Sequence, residues 1–125
     1  MKGVVDYDYK NDILFFKTNN RSYKKSIELD NIVLDIDQEG LITGIQIFDA
    51  SIFLKVNKIA LKEVLNWEFS TKVERIPNSK IKTTKIEIRL IFKVKIRNNI
   101  IEKNPIIIPG PTNEPLKISE LVCTA

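Results

Sequence analysis

Carboxylates offer the first candidate chemistry in this chain. Asp35-x-Asp37-x-Glu39-Gly40 sets acidic side chains along a short loop, as a hard cation such as calcium requires, and Asp6, Asp8 and Asp12 precede them. The full calcium-loop pattern also needs a bidentate glutamate at its twelfth position, where Gln46 stands, so a turn with solvated acidic flanks is the ordinary reading. The same aspartates gathered on one sheet face would form an acid–base pair only if burial drove their pKa values apart. Solvent-facing strand aspartates are far commoner, and no catalytic, cofactor-binding or metal-binding residue is assigned.

The second candidate set is cationic. Lys85, Arg89, Lys93, Lys95 and Arg97 recur along one stretch with Glu87 among them, and such a row can track a phosphate backbone. No aromatic side chain is interleaved on that face, so it is not a base-stacking platform. The plainer role for these residues is to keep a long strand soluble and discourage edge-to-edge pairing. Histidine is absent and Cys123 is the single cysteine. Internal disulfides, Cys/His zinc sites and histidine-based nucleophilic or acid–base catalysis are thereby excluded, and a cytoplasmic setting is expected.

The elements that would carry these groups follow from hydrophobic period. Val5, Tyr7 and Tyr9 alternate with Asp6 and Asp8, and Lys10-Asn11-Asp12 reads as a turn. Ile13 to Phe16 is apolar on both faces, as in a central strand, and Asn19-Asn20-Arg21-Ser22 ends it. A strand begins near Lys24. Ile32, Leu34 and Ile36 share the next strand's face, Asp37-Gln38-Glu39-Gly40 closes a hairpin, and Leu41 to Phe48 returns, with Gly44 marking a bulge or close approach. Asp49 is placed as an N-cap, and residues 50–66 carry an apolar stripe at helical spacing, with Lys55, Lys58 and Lys62 on another face. Asn57 leaves open one helix or two.

From Trp67 the period returns to two until Pro77-Asn78 turns the chain, and Ile86, Ile88, Leu90, Phe92, Val94 and Ile96 then occupy every second position. At ~3.3 Å per residue that strand is roughly 40 Å long. Asn98-Asn99 suits a two-residue turn, after which Ile100 and Ile101 lead toward Ile106-Ile107-Ile108. Pro105, Pro109, Pro111 and Pro115 make the end of the chain an extended arm, packed over a sheet edge, exchanged with a second copy or disordered, with a short helix placed at Leu116 to Val122.

The expected fold class is α+β: mainly antiparallel β-sheet, one helical region in mid-chain and a long C-terminal β-hairpin. Residues 1–125 are read as a single domain, comprising an acidic β-meander (1–54), a helix (50–66), long basic strands (67–108) and a proline-rich arm (109–125). The apolar fraction of 43% and charged fraction of 29% are those of a globular chain. No signal region and no uncharged run of roughly twenty residues argues for a membrane. Net charge divides sharply: residues 1–50 hold six basic and nine acidic side chains, and 51–125 hold fourteen basic and seven acidic.

Tyr7-Asp8, Asp12, Leu14-Phe15, Glu28, Asp35-x-Asp37-x-x-Gly40, Gly44-Ile45-Gln46-Ile47 and Ala50-Ser51 occur in an order and spacing that resembles the prokaryotic family called domain of unknown function 2283. The resemblance covers about residues 5–54. Phe15 stands where an aromatic hydroxyl is usual and Gln46 where a glutamate is usual. The resemblance implies no activity and carries over no site residues.

Three functions compete. A non-enzymatic interaction module, self-associating into a homo-oligomer or taking a protein partner through the long hairpin and arm, leads, because a strand this long leaves an unpaired edge unless something covers it. Nucleic-acid binding through residues 85–97 is the alternative, and a metal-dependent enzyme using the acidic half comes third. No cofactor is expected.

Overall fold

A computed structural model describes residues 1–19, 22–77 and 83–125. The expected turns at Asn19-Asn20-Arg21-Ser22 and Pro77-Asn78 fall partly outside them. The first half is a five-stranded antiparallel sheet ordered β1-β2-β5-β4-β3. Its strands are β1 (Gly3–Asp8), β2 (Ile13–Thr18), β3 (Tyr23–Leu29), β4 (Ile32–Asp37) and β5 (Ile42–Phe48). In the register, Leu14 lies opposite Ile47 and Ile45 opposite both Phe16 and Leu34, so every second residue points to one face and is buried there.

Gly44 is a close approach beside a bulge. The register shifts between Asp35 and Ile36, and a Cβ on Gly44 would stand 2.8 Å from Asp35 Oδ2 and 3.0 Å from the Phe16 carbonyl. Glycine is the residue that leaves room for the aspartate. At the preceding turn Gly40 has φ of 84°, the left-handed position that closes the hairpin.

The second half forms a sheet ordered β10-β6-β7-β8, with β9 also paired to β7. These strands are β6 (Leu65–Arg75), β7 (Thr84–Ile96), β8 (Asn99–Lys103), β9 (Ile106–Ile107) and β10 (Ser119–Thr124). β7 runs 13 residues and buries Ile86, Ile88, Leu90, Phe92 and Val94. The two sheets bury a single cluster between them, with Phe16 stacked on Trp67 at 6.3 Å and against Phe69 at 5.7 Å. Among the described residues the chain is thus mostly antiparallel sheet with two small helices.

Several local expectations are corrected. Of the two alternatives for residues 50–66, two short helices are found, and they end earlier than 66: α1 is Ala50–Leu54, α2 is Lys58–Leu61, and Leu65 already begins β6. Lys55 breaks the run with φ of 56°, and Asn57 restarts it by accepting a 2.8 Å bond from the Ala60 amide. Asp49 precedes α1 but its side chain makes no cap. The turn between β7 and β8 is centred on Arg97 and Asn98, both at positive φ, a type I′ geometry one residue earlier than Asn98-Asn99. Leu116 to Val122 is not helical: its latter part enters β10, which covers the outer edge of β6.

Candidate functional site

The cations of β7 alternate with core residues, so the pleat carries them to the sheet's outer surface. Lys85, Arg89 and Lys95 are exposed and Lys93 is partly covered, while Arg97 lies in the turn. Neighbouring strands set carboxylates among them. Glu74 faces Lys85, Glu102 faces Lys93, and Glu87 faces Lys72. Glu87 also accepts from Arg89 at 3.1 Å, and Lys72 reaches Glu74 at 3.1 Å and Glu120 at 3.8 Å. Glu74, first among these neighbours, pushes the Lys72 ammonium above the ordinary lysine value. An open depression of about 330 Å³ on this face is lined by Lys72 and Arg89 together with Glu87 and Glu120. Arg89 is paired with Glu87, and Lys85 and Lys93 stand across from Glu74 and Glu102, whereas Lys95 faces Ile100. This mixture of signs favours a solvated face over a phosphate track.

The acidic residues of the first half are drawn into separate structural duties. Asp12 receives the Tyr7 hydroxyl at 2.6 Å, the Ser51 amide at 3.0 Å and the Ser51 hydroxyl at 2.6 Å. The Ala50 amide donates to the Asp12 carbonyl at 3.0 Å, so the β1–β2 turn caps α1. Burial resists ionisation of Asp12, but the bonds from Ser51 and Tyr7 outweigh it and hold its carboxyl below the ordinary value. Burial, then the neighbouring Asp12, pushes the Tyr7 hydroxyl well above its usual range.

Asp35 is buried beneath its neighbours and accepts from Ser26 at 2.8 Å, whereas Asp37 accepts from the Glu39 and Leu41 amides at 2.9 and 3.0 Å. Asp8 holds its own turn through Asn11, whose side chain and amide lower its carboxyl. Gln46 faces Phe15 on one side and Val33 on the other. Among the described residues no group of three or more acidic or cysteine side chains is arranged to hold a metal. Sequence reasoning missed the Tyr7–Asp12–Ser51 node; its signal was the joint presence of those residues in the motif.

A third feature emerges from the structure. Ile100 in β8, Ile106 in β9 and Ile108 just after it are 63%, 53% and 60% exposed along one edge of the second sheet. Hydrophobic period had marked these residues only as a returning strand.

Fold and site together define a two-sheet antiparallel β protein whose motif residues build turns, a helix cap and a bulge. The family model described as protein of unknown function (DUF2283) matches residues 5–51, and the chain belongs to that family. A Methanosarcina mazei protein named "Putative hypoxanthine phosphoribosyltransferase" is 34% identical over 100 residues, covering 78% of this chain and 73% of its own. An uncharacterized protein of Methanocaldococcus jannaschii is 37% identical over 76 residues, covering 60% and 66%. No solved structure matches.

Proposed function

We propose that the protein is a non-enzymatic interaction module that associates with a second copy of itself. One observation carries this: the apolar free edge formed by β8 and β9, where isoleucines stand in solvent beside unpaired backbone. The other edges are guarded in part. β10 covers β6, and β1 meets β10 through a parallel bridge between Lys2 and Thr124. β3 carries Lys24 and Lys25, a register shift between Tyr23 and Lys25, and a Lys25–Glu114 ion pair that ties it to the arm.

Nucleic-acid binding through Lys85, Arg89, Lys93, Lys95 and Arg97 is not favoured, given the carboxylates set among them. Hypoxanthine phosphoribosyl transfer, the activity in the Methanosarcina mazei relative's name, is not adopted either. Nucleotide phosphates sit where parallel strands lead into helix N-termini, whereas the paired strands described here are antiparallel and the helices have 5 and 4 residues. The buried free thiol of Cys123 fits a reducing cytoplasm. No described helix is long and apolar enough to cross a membrane. Sedimentation equilibrium across micromolar concentrations tests the proposal. A mass rising from one chain toward two is expected, and a single-chain mass throughout would sink it.

A further inference from the structure

The free edge also specifies how a second copy would fit, an inference that rests on the self-association just proposed. The register along β7 holds from Ile96 opposite Asn99, through Phe92 opposite Lys103, to Ile88 opposite Ile107. β8 and β9 are therefore one edge segment, and the residues between them keep the ladder, since the Leu90 amide donates to the Pro105 carbonyl at 3.0 Å. In an antiparallel ladder, successive residues turn their backbone groups alternately toward and away from the partner strand. Pro105 faces β7, as do Asn99, Ile101, Lys103 and Ile107. Ile100, Glu102, Asn104 and Ile106 hold theirs outward.

Proline is a common guard on exposed edges because it withholds a donor. Here Pro105 withholds it from the protein's own sheet. Every outward position from Ile100 to Ile106 keeps its N–H, and the outer-face side chains there alternate between exposed isoleucine at Ile100 and Ile106 and polar Glu102 and Asn104. The outward backbone donors are thus intact, and the charges at Glu102 and Lys103 restrict which register can pair rather than removing a donor.

We infer that two copies join their second sheets edge to edge across a two-fold axis at Asn104. That axis sets Asn104 opposite its own copy, Glu102 opposite Ile106, and Ile100 opposite Ile108. All of the backbone groups that pair from Ile100 to Ile106 are outward ones. Moving the axis to Lys103 sets two lysines directly opposite, and moving it to Glu102 sets two glutamates opposite, each a destabilising like-charge pair. The Asn104 register avoids both and brings exposed isoleucines together. The occupant is therefore the same segment of a second chain. A strand pair buries well under the about 1,600 Å² of a standard interface, so association is expected in the micromolar range.

Sedimentation of charge-swap variants decides the register. Ile106→Glu places a carboxylate opposite Glu102 of the partner and should raise the dissociation constant about tenfold, whereas adding Glu102→Lys should restore it. Ile106→Pro removes one outward donor without touching the bonds to β7, and should leave a single-chain mass with an unchanged unfolding midpoint in dilute solution. A dimer that survives Ile106→Pro, or an Ile106→Glu defect that Glu102→Lys does not repair, overturns this edge and register while leaving self-association standing. A wild-type chain of single mass at every concentration removes both.

Discussion

At Asp12 the backbone φ is 56°, and the carboxylate takes donors from Tyr7 and Ser51 while sitting half-buried beside α1. Because its folded pKa lies below the unfolded value, the stability it contributes is present above the ordinary carboxylate range and fades as pH falls through the folded value. Asp12→Asn keeps the shape and tolerates the left-handed backbone but lacks the charge. It should cost about 1–3 kcal/mol at neutral pH and flatten the acid limb of a plot of urea midpoint against pH. An unchanged acid limb would show that Asp12 is not the titrating group. Asp8, also held below its ordinary value, leaves the variant some residual slope. Tyr7 works in the opposite sense: its pKa is raised, so its contribution persists below the ordinary tyrosine value and declines as pH rises beyond it. Of these duties only the residue types were legible in the sequence. Partners such as Ser51 lie 39 positions from Asp12, a distance that no local spacing reveals. Likewise Asp35 is buried because Gly44, on the neighbouring strand, leaves it space.

Among elements, the strands were the most legible, because alternation such as Ile86 to Ile96 reports directly which side of a pleated surface is dry. The mid-chain helical region, open to one helix or two in the sequence, is two short ones divided before Asn57. Leu54, Val56, Ala60 and Leu61 are buried by two short turns as readily as by one helix, and the left-handed Lys55 between them has no side-chain signature. β10, as long as β1 or β4, was hidden by its thin apolar pattern, with only Cys123 buried outright, and by the prolines before it. The β7–β8 turn was misplaced by one residue because asparagine is common at such positions, whereas here Arg97 is held at φ of 49° beside Asn98 at 66°. A bulky side chain is strained there, and a type I′ turn prefers Asn-Gly. Replacing Arg97-Asn98 with Asn-Gly should therefore raise stability by about 0.5–1 kcal/mol, read as a later thermal midpoint with the same denaturant slope. A lower midpoint would mean that Arg97 makes a compensating contact that outweighs the strain.

For the whole molecule, closure depends on the end of the chain meeting its beginning. β10 pairs with β6 from Ser119 opposite Val73 to Thr124 opposite Glu68, and the Thr124 amide donates to the Met1 carbonyl at 2.8 Å. The Met1 amine donates to the Val122 carbonyl at 2.8 Å, so one strand completes the second sheet and fastens it to the first. Cys123 is fully buried in this seam, and its thiol is pushed up in pKa by that burial, which fits a packing role. Deleting residues 119–125 would strip the ladder from β6, expose the core at Phe69 and Thr71, and release Met1 and Lys2, while β1 stays paired with β2. The loss should be on the order of 3–5 kcal/mol, a large part of a typical domain's 5–15 kcal/mol. It should also create a new sticky edge on the opposite side of the sheet from Asn104. The truncated chain should consequently unfold at lower urea and form species larger than dimers, and Ile106→Pro should not cure that second defect, since the two edges are separated by β6 and β7. A truncated chain with the full-length urea midpoint would show that the first sheet and β6–β9 close without the arm.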